Sequence, residues 1–230
     1  MNPASLIDVS TLAIVVGGTL LATFLRCGLA DCRATLRQLG RTLISGRPFD
    51  ADAVRAHMAR VLQDIHRDGL LRAQPDSVGD AEFDAALDAL VAQRSVAGAR
   101  EALHQQRESR LAPVRAANNT LVQAAELAPV FGLAGTLISL GRLPTSGVDR
   151  AAYMPAIAMA VHATLYGLIA AHLVLGPLAR LVERHAGRED NQRRALAEWL
   201  ESEVVQAIPR RDALRHVVAA PHAELEGEEA

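Results

Sequence analysis

The sequence predicts an all-α integral membrane protein with three transmembrane helices and a helical cytoplasmic domain. Half of the 230 residues are hydrophobic but only 3% are aromatic, whereas a soluble core of that apolar content would normally contain more Phe, Tyr and Trp. The apolar residues are mainly Ala, Leu and Val, and they are concentrated in long runs. Arg- and Asp-rich stretches separate these runs, as expected for membrane helices joined by aqueous segments.

The first apolar run extends from about Leu6 to Leu25 and contains a single charged residue, Asp8, at its outer edge. About twenty helical residues cover roughly 30 Å, which matches the hydrocarbon core of a bilayer. A cleaved signal peptide is the alternative, but no basic residue precedes the run and several arginines follow it from Arg26 onward. This pattern favours a retained transmembrane helix.

The second run extends from about Leu121 to Leu140, and the third from about Tyr153 to Leu175. Both contain the glycine, proline and threonine residues that membrane helices tolerate where neighbouring helices satisfy the backbone. A buried helical hairpin of a soluble protein is the alternative interpretation. The length of the two runs favours a transmembrane hairpin.

Arginine counts in the flanking segments orient the three predicted spans. Arginines are frequent after the first run, before the second and after the third, whereas the link between the second and third contains only Arg142 and Arg150. The N-terminus is therefore expected outside the cytoplasm and the C-terminus inside it. The expected division is a transmembrane helix over 1–26, a cytoplasmic helical domain over 27–118, the transmembrane hairpin over 119–178, and a cytoplasmic helical tail with a disordered acidic end over 179–230.

The predicted cytoplasmic parts have apolar residues at helical spacing. Leu36, Leu39 and Leu43 form one such series, and similar series occur around residues 54–65 and 196–208. These patterns predict amphipathic helices that bury one face.

Several functional classes are excluded by composition and motifs. The net charge of -2 and the dispersed basic residues give no tract for nucleic acid. Cys27 and Cys32 fall on the predicted cytoplasmic, reducing side and have no His or Cys partner at zinc spacing, so free thiols and no metal site are expected. The sequence has no Walker loop, G-x-S-x-G or H-E-x-x-H motif. We therefore predict no catalytic residue, no cofactor and no conventional enzyme activity.

Polar residues inside the second and third runs are the candidate functional residues. Glu126 lies in the cytoplasmic third of the second run, where a charge is costly unless it faces a cavity or a partner, so it is the first candidate for proton handling. Alternatively, it reaches the headgroup boundary. Thr136 and Thr164 could line a water-filled path or bond to the preceding helical turn.

Two histidines and two prolines complete the candidate set. Histidine side chains in general can change charge near neutral pH, so His162 and His172 could join a proton relay, or they could form hydrogen bonds between helices. Pro129 and Pro177 remove backbone donors and could act as hinges in a moving assembly, or simply mark kinks and helix ends.

Three segments carry a resemblance to a known family. Residues 12–23 are LAIVVGGTLLAT, residues 128–137 are APVFGLAGTL, and residues 163–167 are ATLYG, followed by PLA at 177–179. In this order they resemble the helices of the MotA/TolQ/ExbB proton channel family, and Pro209-Arg210 is similar to an element of the family's tail. The resemblance covers all three predicted spans.

The resemblance implies a homo-oligomeric ring in the bacterial inner membrane. Five such subunits would surround two copies of a single-span partner of the MotB, ExbD or TolR type, whose aspartate takes a proton from the periplasm and so steps the ring. The implied topology has a periplasmic N-terminus and a cytoplasmic C-terminus. By resemblance, Pro129 and Pro177 occupy the positions of functional prolines, Thr136 and Thr164 line the conduction face, and Glu126 matches an acidic position of some motor members.

The chain departs from the motor members of the family in its span count and in its cytoplasmic charges. MotA proteins have a further helix before the one matched here, so the chain has the span count of ExbB and TolQ unless its gene start has been placed too late. Aligning the motor members' R-x-x-G-x(4)-E pattern on Gly69 puts His66 at the arginine position, with Arg67 beside it, and Gln74 at the glutamate position. A weakened contact with a rotor is therefore expected.

His162 and His172 also stand where the family resemblance implies small, apolar or amide residues. The leading hypothesis is a proton-channel, force-transducing ring subunit. The alternatives are an ExbB/TolQ-like energiser of protein transport, a motor stator subunit with a misplaced gene start, and a non-conducting membrane scaffold.

Overall fold

The computed structural model describes residues 8–44, 49–68, 77–93, 95–141, 143 and 150–207, with the backbone alone described at 65–68, 150–152 and 205–207. All regular elements in these ranges are helical, which confirms the predicted all-α class. The elements are α1 Val9–Ile44, α2 Ala51–Asp68, α3 Ala81–Gln93, α4 Val96–Gly141, α5 Arg150–Ile169, a π-helical turn Ala170–Leu175, and α6 Gly176–Ala207.

Three helical stretches of the described chain are long and apolar enough to cross a membrane, namely Val9–Ile44, Val96–Gly141 and Tyr153–Val204. Each contains one of the predicted apolar runs, which confirms the prediction of three spans. The 36 residues of α1 and the 46 residues of α4 correspond to helices of about 54 and 69 Å. Both exceed the roughly 30 Å of the hydrocarbon core, so each helix continues beyond the membrane.

Helix α1 has a kink at Gly28, where φ is 81° and ψ is 169°. A positive φ is readily adopted by glycine because it has no Cβ atom. The amphipathic segment predicted around Leu36 is therefore joined to the first span through this kink and is not a separate helix. Cys27 precedes the kink, and its thiol donates a hydrogen bond to Oε1 of Gln123 on α4 at 3.4 Å.

The helices form two compact units. The first, here called the membrane unit, comprises Met1–Pro48 and Ser109–Glu189 and contains the three predicted spans. The second, here called the aqueous unit, comprises Phe49–Glu108 and Asp190–Ala230. Helices α4 and α6 each contribute residues to both units.

The interior of the membrane unit is built from small residues and hydroxyls. Every fourth residue of α1 from Thr11 to Thr23 is buried, and the Thr19 and Thr23 hydroxyls donate to the carbonyl oxygens one turn earlier at 2.6 and 2.7 Å. Large aliphatic residues instead lie on the outer surface, among them Leu20 and Leu133. Membrane helices pack in this way because small residues permit close approach of the backbones and lipid solvates the large ones.

The aqueous unit has a conventional apolar core. Phe83 and Met58 are fully buried in it, and α6 contributes Leu196, Leu200 and Val204 to the same cluster. The last three residues share one face of a helix, as the amphipathic pattern predicts.

Ion pairs join the helices of the aqueous unit at the edge of this core. The guanidinium of Arg193 donates to Asp80 at 2.9 Å and to the buried Glu82 at 3.3 Å. A second pair is bidentate, with Arg107 donating to both carboxylate oxygens of Asp190 at 2.9 and 2.7 Å. These hydrogen bonds raise the pKa of Arg107 above its ordinary value.

Candidate functional site in the transmembrane hairpin

Glycines hold α4 and α5 in backbone contact at the centre of the hairpin. A Cβ atom placed on Gly167 would lie 2.7 Å from the carbonyl oxygen of Ala128 and 3.1 Å from Cα of Gly132. A Cβ atom on Gly132 would in turn lie 2.9 Å from the carbonyl oxygen of Ala163, and one on Gly135 would lie 2.9 Å from the Cβ of Ala163. These separations leave no room for a side chain, so the contact requires glycine.

The glycine contact brings together two of the candidate residues from sequence. Pro129 has its Cα 3.2 Å from the Cβ position of Gly167, and Thr164 has its Cα 3.5 Å from the Cβ position of Gly132. Helix α4 continues through Pro129, although the proline has no N–H to donate to the carbonyl of Ala125. Pro129 therefore lies against α5 without ending its own helix.

The hydroxyls of Thr136 and Thr164 each donate to their own helix. Thr136 Oγ1 donates to the carbonyl of Leu133 at 2.6 Å, and Thr164 Oγ1 donates to the carbonyl of Ala160 at 3.4 Å. The bond to the preceding helical turn, one of the two uses open from the sequence, is therefore present at both threonines. Each hydroxyl oxygen still has lone pairs with which to accept a hydrogen bond from a water or a partner.

Pro177 is the second residue of α6 and follows directly on the π-helical turn Ala170–Leu175. The N–H of Gly176 donates to the carbonyl of Ala171, five residues earlier, as in a π-helix. A proline ring clashes with the carbonyl of the residue four positions earlier, and the wider turn relieves that clash. His172 lies in this turn with an exposed side chain, and Pro177 is exposed as well.

Glu126 projects from an otherwise apolar face of α4. The residues at helical spacing from it on that face include Val122, Val130, Leu133 and Leu137, which are all exposed. Glu126 is exposed too, so it does not point into the interior of its own hairpin. In lipid a carboxylate on such a face is costly unless it meets a polar neighbour or reaches the headgroup region.

His162 stacks on Tyr166, which contacts the N-terminal end of α1. The two rings are stacked at 6.0 Å with an interplanar angle of 17°. The Tyr166 hydroxyl accepts a hydrogen bond from the N–H of Asp8 at 3.1 Å. Asp8 caps α1, because its carboxylate accepts from the N–H of Ser10 at 3.1 Å and from the hydroxyl of Thr11 at 2.6 Å.

The contact between Asp8 and Tyr166 was not predicted from the sequence. An aspartate followed by serine and threonine is a signal for a helix N-cap, and it was available in the sequence. The partner on α5 had no comparable signal, because the two residues are 158 positions apart.

The structure describes none of the side chains of the three rotor-facing candidates. The backbone of His66 and Arg67 belongs to α2 but their side chains are not described, and Gln74 falls in the undescribed segment before α3. Pro209-Arg210 likewise lies outside the described residues. Within the described ranges, no group of three or more His, Cys, Asp or Glu residues is arranged to hold a metal ion.

The transmembrane hairpin carries several of the candidate residues at its surface. Pro129 and Thr164 border the glycine contact, Glu126 projects outward, and the π-helical turn interrupts the C-terminal end of the third span. Such an arrangement offers hydrogen-bonding groups to a neighbouring helix or to water between subunits.

A model of the MotA/TolQ/ExbB proton channel family matches residues 74–195, just over half of the chain. Motility protein A of Cereibacter sphaeroides is 25% identical over 197 residues, covering 86% of this chain and 78% of that protein. Chemotaxis protein PomA of Vibrio alginolyticus is 26% identical over 197 residues, covering 83% of this chain and 75% of that protein.

Solved structures share the fold. The structure of C. jejuni MotAB has a TM-score of 0.78 at 18% sequence identity, covering 100% of this chain and 91% of the matched chain. The flagellar MotAB stator complex from Bacillus subtilis has a TM-score of 0.73 at 19% identity, covering 94% and 90% respectively.

Proposed function

This chain belongs to the MotA/TolQ/ExbB proton channel family, and from that premise we propose that it is a proton-conducting, force-transducing ring subunit of the bacterial inner membrane. The family is one of proton channels and not a class of enzymes. The match of the family model across both helices of the hairpin carries the proposal. The similar proteins are named for motility and chemotaxis, which favours a stator-type subunit over a protein-transport energiser or a scaffold.

We further propose that the chain works as a homo-oligomer around a single-span, MotB-like partner, with five copies in the ring. The similar structures are MotAB complexes. The apolar outer face of α4, with its carboxylate at Glu126, supports the same arrangement, because a polar group of another chain would stabilise that carboxylate in the membrane. A periplasmic N-terminus, a cytoplasmic C-terminus and the division at residues 26, 118 and 178 belong to this proposal.

The proposed proton path includes Glu126, Pro129, Thr136, Thr164 and Pro177. Support comes from the position of Pro129 and Thr164 beside the glycine contact and from the free acceptor capacity of the two threonine hydroxyls. The two histidines stay in the proposal as relay residues, His172 through its exposure in the π-helical turn and His162 through its contact with Tyr166.

Proton flux tests the path directly. Coexpression with the single-span partner from the same genome is expected to produce a proton leak, followed by a pH-sensitive fluorophore in the cytoplasm. Thr164→Leu and Pro129→Leu should each reduce the leak severely, because a branched aliphatic side chain fills the space where a water would bind, and Thr164→Leu also removes a hydroxyl acceptor. Ala158→Leu is the matched control, since it adds bulk at an exposed position of α5, the helix that contains Thr164.

Membrane amounts of each variant are measured in parallel, so that loss of flux is separated from loss of protein. Unchanged flux in both Thr164→Leu and Pro129→Leu would refute the proposed path. A leak that is absent even in the unmodified complex would instead favour the scaffold.

A change at Glu126 separates proton handling from packing. Glu126→Gln keeps the shape of the side chain but cannot release a proton at neutral pH, so the flux is expected to fall by about 100-fold or more if the carboxylate transfers protons. Glu126→Asp should retain part of the flux. Glu183→Gln, at an exposed position of α6, serves as the control. Wild-type flux in Glu126→Gln would remove Glu126 from the path.

A further inference from the structure

The part of α1 that follows the kink, residues 29–44, is here called the inner arm. One side of the arm faces the other helices of the membrane unit, where Leu39 packs against a cluster formed by Ala117, Leu121, Ala179 and Val182. The opposite side of the arm is exposed. The arm is therefore a helix with one partner and one uncovered face.

The contacts of α1 fix the depth of the inner arm relative to the spans. Cys27 contacts Gln123 on α4, and Leu39, twelve residues later, contacts a cluster that occupies residues 114–121 of α4. Leu121 belongs to that cluster and lies at one end of the second predicted span. The arm therefore packs at the level of this end of the span.

Leucines form a continuous stripe along the uncovered face of the arm. Leu29, Leu36 and Leu43 are separated by seven residues each, which places them on one side of a helix. Their exposed fractions are 64%, 70% and 60%, far too high for residues that pack within the protomer. A continuous row of exposed leucines is typical of a surface that lipid or another protein chain covers.

Arginines flank this stripe. The four arginines between the end of the first span and the end of α1 are all exposed, and Asp31 is the one acidic residue within the helix. In the orientation proposed above, this positive charge is concentrated at the level of the inner membrane surface. The arginines are Arg26, Arg33, Arg37 and Arg41.

We propose that the uncovered face of the inner arm is a binding surface for anionic phospholipid in the inner leaflet. The leucines enter the boundary between acyl chains and headgroups, and the arginines bind the phosphate groups. An amphipathic helix with leucine on one side and arginine beside it is suited to this position. The surface is separate from the proposed proton path and does not depend on it.

Charge complementarity favours lipid over a second copy of the chain. A protein surface that covered the stripe would need acidic side chains to meet the arginines. The described part of the membrane unit has few of them to offer. They are Asp8, Asp31, Glu126, Glu183 and Glu189.

A spin label at position 36 reports directly on what covers the stripe. The full chain carrying Leu36→Cys, with Cys27 and Cys32 changed to serine, is reconstituted in vesicles of phosphatidylcholine and phosphatidylglycerol. The label is expected to be accessible to oxygen, which partitions into lipid, and shielded from a water-soluble nickel chelate. A label at Ala59, exposed on α2, should show the opposite pattern.

Two outcomes of the labelling experiment would overturn the proposal. An immobilised label shielded from both oxygen and nickel would mean that another protein chain covers the stripe. A mobile label accessible to nickel would mean that the stripe faces water.

Removal of the arginines tests the preference for anionic lipid. Changing Arg33, Arg37 and Arg41 together to glutamine is expected to weaken the binding of short-chain phosphatidylglycerol to the detergent-solubilised protein by about fivefold per arginine, while binding of phosphatidylcholine is unchanged. The matched control changes Arg60, Arg188 and Arg194, which are also exposed, to glutamine. Equal losses in the two triple variants, or no loss in the first, would contradict the proposal.

Discussion

Replacing Gly167 by alanine is expected to destabilise the transmembrane hairpin by at least about 1–3 kcal/mol, the usual cost of overpacking a close-packed interior. The added methyl group would lie 2.7 Å from the carbonyl oxygen of Ala128 and 3.2 Å from the Cα of Pro129. Both are backbone atoms that cannot rotate away, so α4 and α5 must separate. The measurement is the thermal unfolding temperature of the detergent-solubilised protein, together with the proton leak of the complex.

Gly17 provides the matched control for Gly167. It also lies in a transmembrane helix, but a Cβ atom placed on it meets nothing within 4 Å. Gly17→Ala should therefore leave stability unchanged or raise it slightly, because alanine has the higher helix propensity. Equal unfolding temperatures for the two variants would show that the α4–α5 contact does not require glycine.

Replacing Arg193 by leucine is expected to lower the free energy of unfolding of the aqueous unit by about 3–5 kcal/mol, as when one partner of a buried ion pair is removed. The change leaves Asp80 and Glu82 without the guanidinium that neutralises them, and Glu82 is only 7% exposed. It also removes a cation–π contact, because the guanidinium carbon lies 4.0 Å from the centre of the Phe49 ring. Chemical denaturation followed by Trp199 fluorescence measures the effect.

The next residue along α6 supplies the control for Arg193. Arg194 has a side chain that is 54% exposed and lies 3.7 Å from Asp190. Exposed pairs of this kind contribute roughly 0–1 kcal/mol, so Arg194→Leu should shift the denaturation midpoint little. A midpoint shift of the same size in both variants would mean that the contacts of Arg193 with Asp80 and Glu82 are not a major source of stability.

The three spans were predictable because hydropathy sums over every residue of a run and tolerates local exceptions. Hydropathy did not predict that α1 and α4 continue beyond the membrane. A polar amphipathic helix that is continuous with an apolar one differs from it in the sequence only by the spacing of its apolar residues. Gly28 gave no usable signal either. A glycine near the end of a span is common, and only the backbone geometry shows that this one has a positive φ.

The family was also predictable, since the glycine, threonine and proline patterns of residues 12–23, 128–137 and 163–179 indicated the family that the comparison then confirmed. The roles of single residues were less accessible. The sequence left two uses open for the Thr136 hydroxyl, and only the structure shows that it donates to the carbonyl of Leu133. Likewise, nothing local to Glu126 shows which way its helix is turned, because that depends on packing against α5.

Several hydroxyl groups of the membrane unit form hydrogen bonds within their own helix, which affects how the helices insert into the membrane. Thr19, Thr23, Thr120, Ser139 and Thr164 each donate to the carbonyl oxygen four residues earlier in the same helix. These hydroxyl groups therefore favour entry of each helix into lipid on its own, since their protons need no acceptor from a later segment. Assembly of the hairpin is then decided by the fit of glycine against backbone after insertion is complete.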